Sequence, residues 1–240
     1  MEPPDSTSVL QVTKLQAGYG RKQVVFDVDL SVGQGEILGV FGHNGSGKST
    51  TIRTILGITP VLGGTIEFKG KDVTKAGSRS NVKNGMAMIP SERFVFADLT
   101  VIDNLLLGAG SDPDTDRRAK RLELVRSLFP ILLERSTQLA GTMSGGQQRM
   151  VSLGMALMAG PSLLMLDEPS LSLAPTVVQQ IFTTVRRLAN EEGLAVLLLE
   201  QNVGQALPIV DRVSVMRSGR VILEETAQQM RVRDSYWDLF

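Results

Sequence analysis

Apolar and polar positions alternate at strand spacing over residues 9–15 and 24–32, on either side of Ala17-Gly18-Tyr19-Gly20, which reads as a turn. The unbroken apolar run Ile37–Phe41 then reads as a buried strand, and residues 51–56 have helical composition that stops at Gly57. Residues 63–70 alternate like an exposed edge strand, and 86–89 form a short apolar strand ending at Pro90. Between 96 and 158 the period changes to that of helices: residues 101–108 and 117–129 carry apolar positions at helical spacing, with Asp112-Pro113-Asp114 separating them. Strand signals return at 163–166 and 194–199, both continuous apolar runs of the kind buried on two faces. Between them Pro175 opens a helix whose Val177, Val178, Ile181, Phe182, Val185 and Leu188 make one apolar stripe. A hairpin turning at Ser218-Gly219 follows, and the role of the tail around Trp237 is unreadable. The pattern predicts an α/β core over about 8–95 and 159–240, a mostly helical lobe inserted at about 96–158, and a loose tail over 1–7.

Composition narrows the function. The 240 residues suffice for one substantial α/β core plus a smaller lobe. Lys plus Arg equals Asp plus Glu at 25 each, which gives no electrostatic reason to expect a nucleic-acid partner. With no cysteine, disulfides and thiolate metal sites are excluded. The single histidine is His43, so a histidine base elsewhere is unavailable. No apolar run approaches the about 18 residues of a membrane span, and the first residues lack the basic and apolar regions of a signal peptide; a cytosolic protein is expected. Arg117, Arg118, Lys120 and Arg121 read as a solvated helix face, the alternative being a docking face for an acidic partner.

The chemistry begins where the run Ile37–Phe41 ends. Gly42-His43-Asn44-Gly45-Ser46-Gly47-Lys48-Ser49-Thr50 fits the phosphate-cradle pattern G-x-x-x-x-G-K-[ST] between a strand and a helix. Gly45 and Gly47 let the backbone turn so that successive N–H groups converge on a triphosphate, with Lys48 reaching the β/γ-phosphates and Ser49 a magnesium ion. The strand at 163–166 ends in Asp167-Glu168-Pro169, and carboxylates at that end of a parallel strand face the ligand crevice. Asp167 is placed to hold hydrated Mg²⁺ and Glu168 to polarise an attacking water. Ser144-Gly145-Gly146-Gln147 is either a plain helix entry, with Ser144 as N-cap, or a second phosphate site. Tyr19 reads by spacing alone as a packing residue, the alternative being a platform for a nucleobase.

Taken in order and at these separations, the three motifs resemble those of the ATP-binding subunits of ABC transporters, from about Leu10 onward. The resemblance implies a P-loop NTPase core of ABC ATPase type with an antiparallel β edge and an inserted helical subdomain, with Met143 in place of the usual first Leu of the signature loop. It implies that Tyr19 stacks on adenine, and that two cassettes pair head to tail with each ATP between one P-loop and the other signature loop. Residues 168–175, 197–202 and 97–105 look like the LivF-type ATPases of branched-chain amino acid importers. That likeness implies ATP and Mg²⁺ as cofactors, a heterodimer with a second related ATPase (or a homodimer), two transmembrane permease subunits and a substrate-binding protein, at the cytoplasmic face of the membrane. Urea and short amides are carried by close relatives.

The chain departs from the wider family at three further positions. Gln201 stands where most members place a histidine against the γ-phosphate; its amide can donate a hydrogen bond but cannot take up a proton near neutral pH. Ser91 stands where a longer Gln or Glu is usual, so either Glu92 substitutes at the metal or that contact is weaker. Ala174 takes an aspartate position. A subunit that binds ATP without hydrolysing it, an exporter, and a non-transport ATPase switch are the competing readings; one cassette, no cysteine and no heptad run weigh against the last.

Overall fold

The computed structural model describes residues 8–92, 94–110 and 112–233; the expected tail over 1–7 and the segment around Trp237 lie outside them. Strands β1 (Ser8–Tyr19), β2 (Lys22–Gly33), β4 (Val61–Phe68) and β5 (Lys71–Asp72) make an antiparallel sheet in the order β2-β1-β4-β5. The second sheet runs β10-β9-β3-β8-β7-β6, built from β3 (Ile37–Phe41), β6 (Met86–Ile89), β7 (Leu163–Asp167), β8 (Ala195–Glu200), β9 (Arg212–Arg217) and β10 (Arg220–Thr226). Its neighbours pair in parallel from β9 to β6, and β10 closes the edge antiparallel.

The turn expected at 17–20 falls later, because β1 continues through Gly18 to Tyr19 and the chain reverses at Gly20 and Arg21. A Cβ on Gly18 would sit 2.1 Å from the Lys22 carbonyl oxygen. Only glycine lets the two strands stay paired there, so this glycine marks a close strand approach where its neighbours suggest a turn. The edge expected at 63–70 is β4, covered by β5 only at Glu67 and Phe68.

The apolar runs of the parallel sheet are buried on both faces, and alternate side chains go to different cores. Ile37 and Phe41 of β3, Leu164 and Leu166 of β7, and Val196 and Leu198 of β8 join one cluster. Leu38 and Val40, Leu163 and Met165, and Leu197 and Leu199 join the other, with the antiparallel sheet and α1 (Lys48–Leu56). The first cluster is shared with α7 (Pro175–Glu192) and with the helices between β6 and β7, namely α3 (Val101–Gly108), α4 (Thr115–Leu128), α5 (Pro130–Glu134) and α6 (Gly145–Met158). The inserted helices therefore pack on the sheet through one continuous apolar cluster.

The basic run in α4 is not a plain solvated face. Arg117 pairs with Asp112 and Asp114, and Arg121 reaches Asp112 at 3.0 Å and the Met158 carbonyl at 3.1 Å. Half of the cluster thus clamps the Asp-Pro-Asp segment onto the ends of α4 and α6. Buried Asn104 in α3 does similar work for the 96–100 turn: its amide donates to the carbonyls of Phe96, Leu99 and Thr100, and its oxygen accepts from the Phe96 N–H at 2.8 Å. Asn104→Ala leaves the Phe96 N–H without its acceptor, while the three carbonyls keep the backbone N–H groups of Leu99, Ala140 and residue 104. It is expected to cost about 1–3 kcal/mol, read as a lowered denaturant midpoint with an unchanged slope.

Candidate functional site

The phosphate loop hangs from the tip of β3, a middle strand. Gly45 (φ 81) and Gly47 (φ 105) both take left-handed backbone. A Cβ on Gly42 would sit 2.4 Å from the Met216 carbonyl oxygen and 2.6 Å from the Ser46 hydroxyl, so the loop closes only on glycine. Residues Asn44, Gly45, Ser46, Gly47, Lys48, Ser49 and Thr50, with Val24 and Glu168, line a cavity of 170 Å³; His43 lies in an adjoining one of 160 Å³. Ser46 lines both, and its hydroxyl is buried without a hydrogen-bond partner among the described residues. A buried orphan hydroxyl beside two left-handed glycines fits a ligand rich in acceptor oxygens.

Lys48 and the carboxylate pair meet at this cavity. The Lys48 ammonium is buried, donates to the carbonyls of Gly42 at 2.6 Å and His43 at 3.2 Å, and lies 3.3 Å from Glu168. Asp167, at the end of β7, accepts from the Ser49 hydroxyl at 2.9 Å. Burial pushes the Asp167 carboxyl above the usual carboxylate range, the Ser49 bond opposes that, and the nearby Glu168 charge adds to it. A buried carboxylate with one hydroxyl donor keeps acceptor capacity to spare, the chemistry of an oxygen-ligand site for a hard cation. Glu168 itself has φ 47, a left-handed backbone uncommon for glutamate, and its N–H donates to the Leu199 carbonyl at 2.9 Å.

Not every residue singled out from the sequence lies here. Tyr19 is half exposed at the rim, its hydroxyl 3.5 Å from the Thr50 hydroxyl, which holds the phenol below its usual value. Gln201 lies beyond Glu168, in a second cleft of 520 Å³ that Glu168 also lines. Ser91 and Glu92 line neither space; the Ser91 carbonyl is held by Arg149 at 2.6 Å and Glu92 is exposed. Ser144, Gly145, Gly146 and Gln147 open α6 outside both spaces, with Ser144 and Gln147 locked in a capping box that leaves an exposed helix start.

Glu200, the last residue of β8 and 1% exposed, is a functional residue that the sequence reading missed. It accepts from the Ser170 N–H and hydroxyl, each at 2.9 Å, and from the Gln201 N–H at 3.3 Å. The available signal was its position: an acidic residue at the carboxyl end of a parallel strand, as Asp167 is.

A phosphate loop on a middle strand with a carboxylate pair at the tip of a strand one removed is the arrangement of the P-loop triphosphatases. Within that class the chain belongs to the ABC transporter family, which it matches over residues 25–171, and it is an ATP-binding and ATP-hydrolysing subunit of that family. It is 41% identical over 232 residues to the high-affinity branched-chain amino acid transport ATP-binding protein BraG of Pseudomonas aeruginosa, covering 95% of this chain and 99% of that one. It is 36% identical to a probable branched-chain amino acid transport ATP-binding protein LivF of Archaeoglobus fulgidus, over 95% and 96% of the two chains. The lipopolysaccharide export ATP-binding protein LptB of Escherichia coli is 31% identical, over 93% of this chain and 92% of LptB. Among solved structures, the ADP conformation of the ABC cassette MJ1267 superposes with a TM-score of 0.83 at 26% identity, covering 97% of this chain and 96% of that one.

Proposed function

We propose that the chain powers import of branched-chain amino acids, hydrolysing Mg-ATP at the site around Lys48, Asp167 and Glu168. The observation that carries the site is the Lys48 ammonium, buried between two carbonyls and the Glu168 carboxylate beneath the glycine loop. Triphosphate oxygens outcompete a single carboxylate for that ammonium, so nucleotide binding frees Glu168 from its ion pair. The released carboxylate accepts a proton from the water that attacks the γ-phosphorus. Ser49 and Asp167 would hold Mg²⁺, which when bound neutralises developing charge on the phosphates. Tyr19 offers its exposed ring to the adenine, and Gln201, lining the cleft it shares with Glu168, supplies an amide donor for the γ-phosphate.

The second anion site, at Ser144 to Gln147, serves the ATP of a partner cassette; its exposure outside this chain's own cavity supports that reading. The partner is a second ATPase subunit of the same family. No helix among the described residues is long and apolar enough to cross a membrane. In this reading the chain attaches through permease subunits at the cytoplasmic face. Exposed Phe94, Phe96, Leu99 and Leu139, gathered near the 96–100 turn, give those subunits an apolar surface. Import of branched-chain amino acids is favoured over export because identity to BraG exceeds identity to LptB by ten points. In the complex purified with its co-expressed subunits and binding protein, leucine, isoleucine or valine should stimulate ATP hydrolysis. Stimulation by urea or a short amide alone would reassign the cargo.

A further inference from the structure

Glu200 ends the strand that lies between the two halves of the site. In the order β3-β8-β7 its residue pairs with Phe41, next to the first glycine of the phosphate loop, while Leu199 beside it pairs with Asp167. The turn after β7 is held to this strand tip in two places: the Glu168 N–H on the Leu199 carbonyl, and the Ser170 N–H and hydroxyl on the two Glu200 oxygens. Between and just beyond these anchors the backbone is left-handed at Glu168 (φ 47) and Ser172 (φ 60). A non-glycine residue stays in that region only where its surroundings over-determine it. The third donor to Glu200 is the Gln201 N–H, so one carboxylate binds both the segment that carries Glu168 and the segment that carries Gln201.

We infer that Glu200 is a positioning residue for ATP hydrolysis, its carboxylate fixing the Ser170 turn and with it the direction in which Glu168 presents its carboxylate to the attacking water. All three hydrogen bonds at Glu200 are drawn with its oxygens as acceptors, the arrangement of the ionised form, whereas protonation would turn one of those oxygens into a donor. Burial pushes the other way, raising the carboxyl above its usual range, and the three donors oppose that. Placing a charge there is costly for a merely structural tie. Glu200 and Ser170 both line the cleft that Glu168 opens into and neither lines the phosphate-loop cavity, so a slackened turn would act on the loop only through Glu168.

The inference rests on Glu168 being the water-activating carboxylate, and the test keeps the two apart. Steady-state hydrolysis is measured on the full chain, co-purified with its partner subunits and with the partner's ATP site inactivated, for wild type, Ser170→Ala, Ser170→Thr, Glu200→Gln, Ser170→Ala/Glu200→Gln and Glu168→Gln. Ser170→Ala and Glu200→Gln should each lower kcat about tenfold or more with KM for ATP within about twofold, since misplacement of a catalytic group costs rate rather than binding. The double variant should fall no further than the worse single one, and Ser170→Thr, which keeps the hydroxyl, should restore most of the rate. Unchanged kcat in Ser170→Ala, or additive losses, would overturn the role of Glu200 while Glu168→Gln still abolished turnover. Turnover surviving in Glu168→Gln would instead remove the premise.

Discussion

Glu168→Gln, in a complex whose partner site is already disabled, retains ATP binding and loses turnover by about a hundredfold or more, roughly 2.7 kcal/mol of barrier. Glutamine preserves the size of the side chain but is a very poor proton acceptor, so the loss falls on kcat. The ion pair adds a second expectation. With no carboxylate 3.3 Å from Lys48 to compete for its ammonium, the variant should bind ATP at least as tightly as the native chain. Single-turnover hydrolysis together with equilibrium nucleotide titration measures both. Hydrolysis at the native rate would take Glu168 out of the chemistry.

Lys48→Ala should act on binding itself. The ammonium is held inside the cavity by the loop's own carbonyls, and its removal also leaves the partly buried Glu168 carboxylate beside an empty volume. Loss of one partner of a buried charge pair, here the ammonium facing the phosphates, costs about 2–5 kcal/mol, so affinity for ATP should fall by about thirtyfold to several thousandfold. The stranded Glu168 charge should lower thermal stability as well. Lys48→Ala/Glu168→Gln should then be more stable than Lys48→Ala, because the second change removes the unpaired charge. Undiminished nucleotide affinity in Lys48→Ala would speak against the cradle, and calorimetric unfolding of the two variants tests the charge argument separately.

What could be read ahead of the structure follows from how local each signal is. The run Ile37–Phe41 before a glycine loop, and the apolar strand before Asp167-Glu168, place their chemistry within a few residues, so strand, loop and helix were legible. The inserted helices were legible from the change in period and an edge strand from the alternation at 63–70, while the antiparallel sheet came only with the family resemblance. Interactions between distant segments were not. Arg117 and Arg121 read as solvated charge because their partner Asp112 lies across a chain break in the pattern, in a segment that itself reads only as a breaker. Gly18 read as a turn because nothing local shows the Lys22 carbonyl pressed against it. Glu200 read as the polar end of a strand, whereas β3 and β7 on either side and the Ser170 turn above bury it. A charged residue ending an apolar run is ambiguous until its neighbours in the sheet are known.

Equilibrium titration of the purified chain, alone and with its partner subunits, against a slowly hydrolysed ATP analogue and magnesium tests the central claim most directly. Saturable binding with one nucleotide per phosphate loop, at a Kd about 1 mM or tighter, is the expected result. No saturable binding up to millimolar nucleotide, in either preparation, would contradict it.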